Sequence, residues 1–320
     1  MEWYEWLLLI FVVIPIGMWL FSLIIGPFIA FQSLLWRTTK DKWARGPARK
    51  MKEDAVKIYE SGLEWQSRHA QYKKDVHIVN KGLNLYGEYY DLGGDKCAII
   101  LPGRREGLMG SYDFAQPYTK KGWSVLLIDP RAHGYSDGTF NTAGFEEYSD
   151  NMAWANFLRE ECGVQTVVYH GVCIGCMGGL LAAVNPQCPD VVKGMVADGM
   201  FETFAKSTYH HMRKYHIPSP PGLDVVLIDM WMRIFTGHTM FKGPIHYIDR
   251  MEKPLLMLHS REDIFSTPKQ AQKLFDKAKT QRKQLVWFEK GYHSQLRLAD
   301  PELYDAAVGE FLESLTTVAV

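Results

Sequence analysis

The residues most able to do chemistry in this chain lie in Tyr169-His170-Gly171-Val172-Cys173-Ile174-Gly175-Cys176. The apolar run Thr166–His170 reads as a buried strand and Ile174–Val184 as a helix, so Cys173 falls on the turn between them. Glycine two residues to either side makes this a G-x-S-x-G nucleophile elbow with cysteine in the place of serine. Such a turn is strained, and larger flanking side chains collide with nearby backbone. A thiol at the start of a helix is favoured as thiolate by the dipole and by free N–H groups. The chemistry that suits it is covalent acyl transfer. Two plainer readings stand beside this one: an inert buried thiol, or a C-x-x-C redox pair with Cys176. The order of elements is not thioredoxin-like, which leaves a disulfide here as an off-switch at most.

A cysteine nucleophile needs a base and an acid to orient it. His293 lies in the loop between the last strand, Gln284–Phe288, and the last helix, Pro301–Leu315. Asp263 follows the strand Leu255–His259, and Asp198, after the strand Gly194–Ala197, is the alternative acid. Glu262 reads as a surface residue and His133 as a structural hydrogen-bonding group. His210, His211, His216, His238 and His246 gather in one segment. No H-E-x-x-H or cysteine pairing accompanies them, so no metal site is expected. Neither a G-x-G-x-x-G loop nor a P-loop lysine is present, and no cofactor is expected.

Those groups must be carried by a sheet. Strand patterns at Val76–Val79, Leu83–Tyr90 and Cys97–Leu101 lead into an alternation: helix Tyr112–Lys121, strand Ser124–Ile128, helix Glu146–Glu160, then the elbow. Helix Pro268–Lys279 separates the last two strands. This rhythm predicts a mostly parallel sheet with helices on both faces. Residues 199–253 break it with Pro218, Pro220, Pro221 and the apolar run Val225–Phe235, which predicts a small helical lid.

Leu7 to Trp36 carries no charge. About 20 residues cross a bilayer core, so Leu7–Gly26 suffices, with Gly26-Pro27 expected to bend or end the helix. Trp3, Tyr4 and Trp6 on one flank, and Trp36 and Trp43 on the other, read as interfacial aromatics. Against a cleaved signal peptide stand Glu2 and Glu5 at the start and the lack of an A-x-A site. Arg37, Lys40, Lys42, Arg45, Arg49, Lys50 and Lys52 follow the span and none precedes it, which places the bulk of the chain in the cytoplasm. The expected organisation is an anchor (1–36), a basic juxtamembrane stretch with an amphipathic helix from Pro47 to Ala70 (37–75), and a catalytic domain (76–320). That amphipathic helix has two possible supports, the membrane surface or the domain. With 36 basic and 36 acidic residues, global charge gives no argument for nucleic acid. Five irregularly spaced cysteines read as reduced thiols.

The chain is similar to the α/β-hydrolase family, in particular its membrane-associated bacterial branch near the serine-aminopeptidase-like hydrolases. The resemblance covers Val76 to Leu315 and rests on ordered motifs. Ile99-Ile100-Leu101-Pro102-Gly103-Arg104 resembles the family's strand and oxyanion loop, and Asp129-Pro130-Arg131-Ala132-His133-Gly134-Tyr135-Ser136-Asp137-Gly138 its D-x-R-G-H-G-x-S-x-G turn. The elbow, the acidic loop His259-Ser260-Arg261-Glu262-Asp263 and Gly291-Tyr292-His293-Ser294 follow. The resemblance implies an α/β-hydrolase fold of eight mostly parallel strands with a helical lid. The family's chain order assigns Cys173 as nucleophile, Asp263 as orienting acid and His293 as base. Its oxyanion donors fall on the backbone N–H groups of Ile174 and Arg104, each worth ~3 kcal/mol. The expected function is a membrane-anchored hydrolase of esters or thioesters of an apolar, lipid-like acyl group. The alternatives are an acyltransferase to an amine or alcohol, and a non-catalytic tethered binding module.

Overall fold

The computed structural model describes residues 2–43, 53–104, 106–215 and 221–316. Eight strands form one sheet: β1 Lys73–Asn80, β2 Leu83–Tyr90, β3 Lys96–Leu101, β4 Ser124–Ile128, β5 Thr166–Val172, β6 Val192–Asp198, β7 Leu255–Ser260 and β8 Lys283–Phe288. Their order is β1-β2-β4-β3-β5-β6-β7-β8. Only β2 runs against its neighbours; the pairings from β4 to β8 are all parallel. Every residue of β4 and β7 is buried, as helices on both faces require.

Eleven α-helices are described: α1 Trp3–Leu8, α2 Ile14–Leu35, α3 Glu53–His69, α4 Gln116–Lys120, α5 Glu147–Glu161, α6 Ile174–Ala183, α7 Phe204–Lys214, α8 Pro221–Thr236, α9 Pro268–Lys277, α10 Leu296–Ala299 and α11 Pro301–Thr316. One face of the sheet packs on Trp154 and Leu158 of α5, Leu180 of α6 and Leu274 of α9. The other packs on Trp65 of α3, Tyr118 of α4, and Val308 and Phe311 of α11. Of the helix expected at Tyr112–Lys121, only α4 is α-helical, after a 3₁₀ stretch at Leu108–Ala115. Pro117 cannot donate to a preceding turn, so it belongs in the first turn of an α-helix and sets where that helix starts.

A short π turn, Leu9–Val13, joins α1 to α2, and the run Trp3–Leu35 is long and apolar enough to cross a bilayer, a property that leader sequences share. Of the bend or end expected at Gly26-Pro27, the end does not occur: α2 continues through Pro27 to Leu35. Packing ties its second half to the domain. Phe31 and Leu35 are fully buried, and Phe31 stacks on Phe235 of α8 at 5.4 Å. Trp36 and Trp43, expected as interfacial aromatics, both pack on the domain. Trp36 packs on Phe140 (5.4 Å) and Phe235 (5.0 Å), and Trp43 stacks on His133 (4.7 Å). Arg37 is a clamp, donating to the carbonyls of Ser136 and Gly134, and Lys42 closes the end of α2 through the carbonyls of Gln32 and Trp36. Arg45, Arg49, Lys50 and Lys52, like residues 47–52 of the expected amphipathic helix, lie outside the described residues. What is described of that helix, α3, leans on the domain: Trp65 is buried and donates to Thr119 at 3.1 Å.

Candidate active site

Cys173 sits between β5 and α6 with φ 52° and ψ −110°, a left-handed conformation that side chains rarely adopt. Hydrogen bonds hold it there: its N–H donates to the Asp198 carbonyl (2.9 Å) and its own carbonyl accepts from Cys176 (3.1 Å). The flanking glycines are required by close approach. A Cβ on Gly175 would lie 2.1 Å from the Leu101 carbonyl oxygen, and one on Gly171 2.6 Å from the Cys176 Cα. Cys173 is half-buried and lines a cavity; Cys176 is fully buried and donates to the Gly171 carbonyl at 3.1 Å. Burial pushes the Cys176 thiol well up, so it is a poor thiolate. All five cysteines are free.

The His293 ring reaches back to this sulfur. Its Nδ1 lies 2.7 Å from Asp263 Oδ2, and the ring is near enough to the Cys173 sulfur to be influenced by it. Asp263 is itself fixed, Oδ1 accepting from the N–H groups of Phe265 (2.8 Å) and Ser266 (2.9 Å). Burial opposes the charge on both partners, but is outweighed. The Cys173 sulfur and the Asp263 carboxylate hold His293 well above its usual range. The imidazole and the two N–H donors hold Asp263 below its own. The structure thus brings Cys173, His293 and Asp263 together, in that order.

Asp198, the alternative acid, makes no such contact. Its Oδ2 accepts from Tyr304 (2.9 Å), whose hydroxyl also meets His170 Nε2 (3.1 Å), while Tyr118 meets His170 Nδ1 (2.9 Å). Burial pushes Asp198 up to about 7. Glu262 is exposed, as a surface residue should be, yet it accepts from the Gly291 N–H at 3.2 Å and so ties down the loop that carries His293. His133 is buried, with Nδ1 3.0 Å from the Arg131 carbonyl, a structural place.

Ile174 opens α6, where backbone N–H groups lack partners within the helix. Arg104 follows β3 and borders the cavity, its guanidinium 5.9 Å from the Phe204 ring centre. Burial lowers its pKa, with the charges of Cys173 and Glu106 acting the other way. Glu106, unremarked in the sequence, also lines the cavity; its Oε2 accepts from the Gly103 N–H at 3.2 Å. Burial raises this carboxyl. Of the histidines in residues 199–253, His211 borders the cavity, His238 bonds Glu146 (3.0 Å), His246 bonds within its own turn, and His210 meets Gln270 (3.2 Å). His216 lies outside the described residues.

The cavity measures about 640 Å³. Its polar end holds Cys173, His293, Arg104 and Glu106. Its apolar wall comes from α2, through Trp19, Leu23, Pro27, Ala30 and Leu34, facing Met212 of α7 and Ile228 of α8. Sequence reasoning had separated α2 from the site. The signal available was the spacing of Gly26, Ala30 and Ser33, small residues on one face of an otherwise bulky helix.

Known proteins agree with this architecture. A family model described as alpha/beta hydrolase fold matches residues 99–229. The uncharacterized protein YqkD of Bacillus subtilis is 27% identical over 279 residues, covering 83% of this chain and 88% of its own. Among solved structures, the Pyrococcus furiosus esterase Pf2001 superposes with a TM-score of 0.66 at 23% identity, covering 85% of this chain and 98% of that one. An alpha-beta hydrolase from Vibrio vulnificus gives 0.56 at 18% identity, covering 84% and 87%. The order of strands, the strained elbow at the end of β5 and these matches lead to one conclusion: the chain has the α/β-hydrolase fold.

Proposed function

We propose that the protein is a membrane-anchored hydrolase of ester or thioester bonds, acting on an apolar acyl group with Cys173 as nucleophile. His293 takes the thiol proton through the nitrogen that Asp263 leaves open, and the sulfur attacks the acyl carbonyl. The oxyanion forms beside the N–H groups of Ile174 and Arg104. His293 then protonates the departing alcohol or thiol, leaving a thioester on Cys173. Water, deprotonated by His293, attacks that thioester; the acid leaves and the thiol regains its proton. Asp263 remains ionised and steadies the imidazolium. A thiolate suits esters and thioesters better than unactivated amides, which argues against a peptidase.

The observation that carries this reading is the chain of contacts from Cys173 through His293 to Asp263 at the polar end of an otherwise apolar cavity. An apolar wall contributed by α2 favours an acyl chain as ligand. The length and apolar character of Trp3–Leu35 support an anchor, and the basic residues after it favour the cytoplasmic side for the domain. That the Pyrococcus furiosus neighbour is named an esterase agrees. Intact-mass spectrometry of the full chain, after exposure to a membrane-lipid extract, tests the proposal. An acyl adduct is expected on the wild type and not on Cys173→Ala; equal adducts on both would sink the nucleophile assignment. Adding amine or alcohol acceptors in the same experiment identifies transfer in place of hydrolysis.

A further inference from the structure

Helix α8 has an outer surface that does not fit a helix facing water. Its inner face is ordinary: Val225, Ile228 and Met232 are buried in the cluster that includes Phe31 and Leu35 of α2. The opposite face should carry charge. Instead Leu223, Val226, Met230 and Ile234 are exposed, Val226 by 51% and Ile234 by 62%. At about 100° per residue these four fall within roughly 80° of one another, a continuous apolar stripe. Charge is kept off it. Asp224 and Asp229 are buried, and Arg233, at the edge of the stripe, is folded back onto Asp229 (2.6 Å) and Thr239 (2.8 Å).

The stripe continues into the exposed surface of α2. Trp231 of α8 donates its indole N–H to the Ile24 carbonyl at 3.3 Å, and its ring lies 4.9 Å from Phe28. Beside that junction Phe21, Ile24 and Ile29 are all more than half exposed. From Leu7, where the uncharged run begins, to Gly26 is about 20 residues, roughly 30 Å of helix, the thickness of a bilayer core. Ile24 therefore lies within one turn of the level at which an embedded α2 leaves the hydrocarbon. Trp231 stands at that level, the depth that tryptophan prefers.

We propose that α8 is an interfacial membrane helix, its outward stripe lying in the boundary between headgroups and acyl chains alongside α2, with the lipid bilayer as its partner. The proposal rests on reading α1–α2 as a membrane anchor. It makes the domain's contact with the membrane two-pronged: one helix crosses, and a second lies flat beside the point of exit. Because α2 and α8 both border the cavity, and Trp19 and Leu23 line it below the level of Ile24, the apolar end of the cavity opens toward acyl chains rather than water.

The test uses the full chain in nanodiscs of phosphatidylcholine and phosphatidylglycerol, with benzoylphenylalanine placed singly at Val226, Ile234, Phe11 and Val79. Val79, on the edge strand β1, is 72% exposed and serves as the water-facing control. After irradiation, mass spectrometry reads the adducts. The expected result is lipid adducts at 226, 234 and 11, roughly tenfold above the level at 79. Adducts at 11 without adducts at 226 and 234 overturn the inference and leave the anchor standing. No adduct at 11 removes the anchor and the inference together. Protein–protein adducts at 226 and 234 in place of lipid assign the stripe to a second copy of the chain, and overturn the inference as well.

Discussion

Asp198 closes β6 and Asp263 follows β7, so two carboxyl groups lie at the same edge of the sheet, on neighbouring strands. Both are almost fully buried. Asp263 accepts from two backbone N–H groups and from His293, and its pKa falls. Asp198 accepts from the Tyr304 hydroxyl, while its Oδ1 finds no hydrogen-bond partner among the described residues; its pKa rises to about 7. Burial is common to the two, and the donors are not. Donors decide which carboxyl stays ionised in the interior, and an ionised one is what a catalytic imidazolium needs.

The comparison can be broken by kinetics. Cys173→Ala and His293→Ala are expected to lower kcat on an ester substrate by about 10⁴-fold or more. Asp263→Asn should cost about 10³- to 10⁴-fold, because the wrong tautomer of His293 is then held. Asp198→Asn keeps an acceptor for Tyr304 and should stay within about threefold of wild type, as expected of a residue outside the reacting unit. A loss with Asp198→Asn equal to that with Asp263→Asn would reverse the assignment of the acid. Tyr304→Phe strips Asp198 and His170 of a shared partner at once, and chemical denaturation should show a loss of about 1–3 kcal/mol.

Thermal stability against pH sharpens the same contrast, because the two carboxyls have opposite signs. The folded pKa of Asp263 is depressed, so its stabilisation is present above the unfolded value and fades as pH falls through the folded one. The difference in Tm between wild type and Asp263→Asn should therefore shrink in acid. The folded pKa of Asp198 is raised, so between about 3.8 and about 7 the unfolded chain has lost a proton that the folded chain retains. Stability attributable to Asp198 falls across that window and levels off above it. Asp198→Asn should gain on wild type from pH 4 to pH 7 and hold that gain at pH 8. A difference in Tm that is flat with pH would remove the buried charge from the account.

The strands and the elbow were legible because their signals are local. Period, glycine spacing and the step from strand to helix all lie within a dozen residues around Cys173. Choosing between Asp198 and Asp263 needed the fold, since the deciding groups, Tyr304 and the N–H groups of Phe265 and Ser266, act through space. The N-terminal helix was legible as apolar and misread as self-contained. Hydrophobicity alone does not distinguish a residue exposed on the outside, such as Phe21, from one facing a cavity, such as Leu23, or one packed on protein, such as Phe31. That the helix does not end at Pro27 has a related reason: packing against α8 offsets the backbone hydrogen bond that proline forfeits.

Because α2 supplies a wall of the cavity, trimming the chain before the domain also takes away part of the site. A fragment starting near β1 lacks Trp19, Leu23, Pro27, Ala30 and Leu34 from the lining beside the reactive groups. Chain-length preferences measured on it describe a cavity without that wall. Surveys of substrates for this protein belong on the intact polypeptide, in detergent or lipid that keeps its first helix in place.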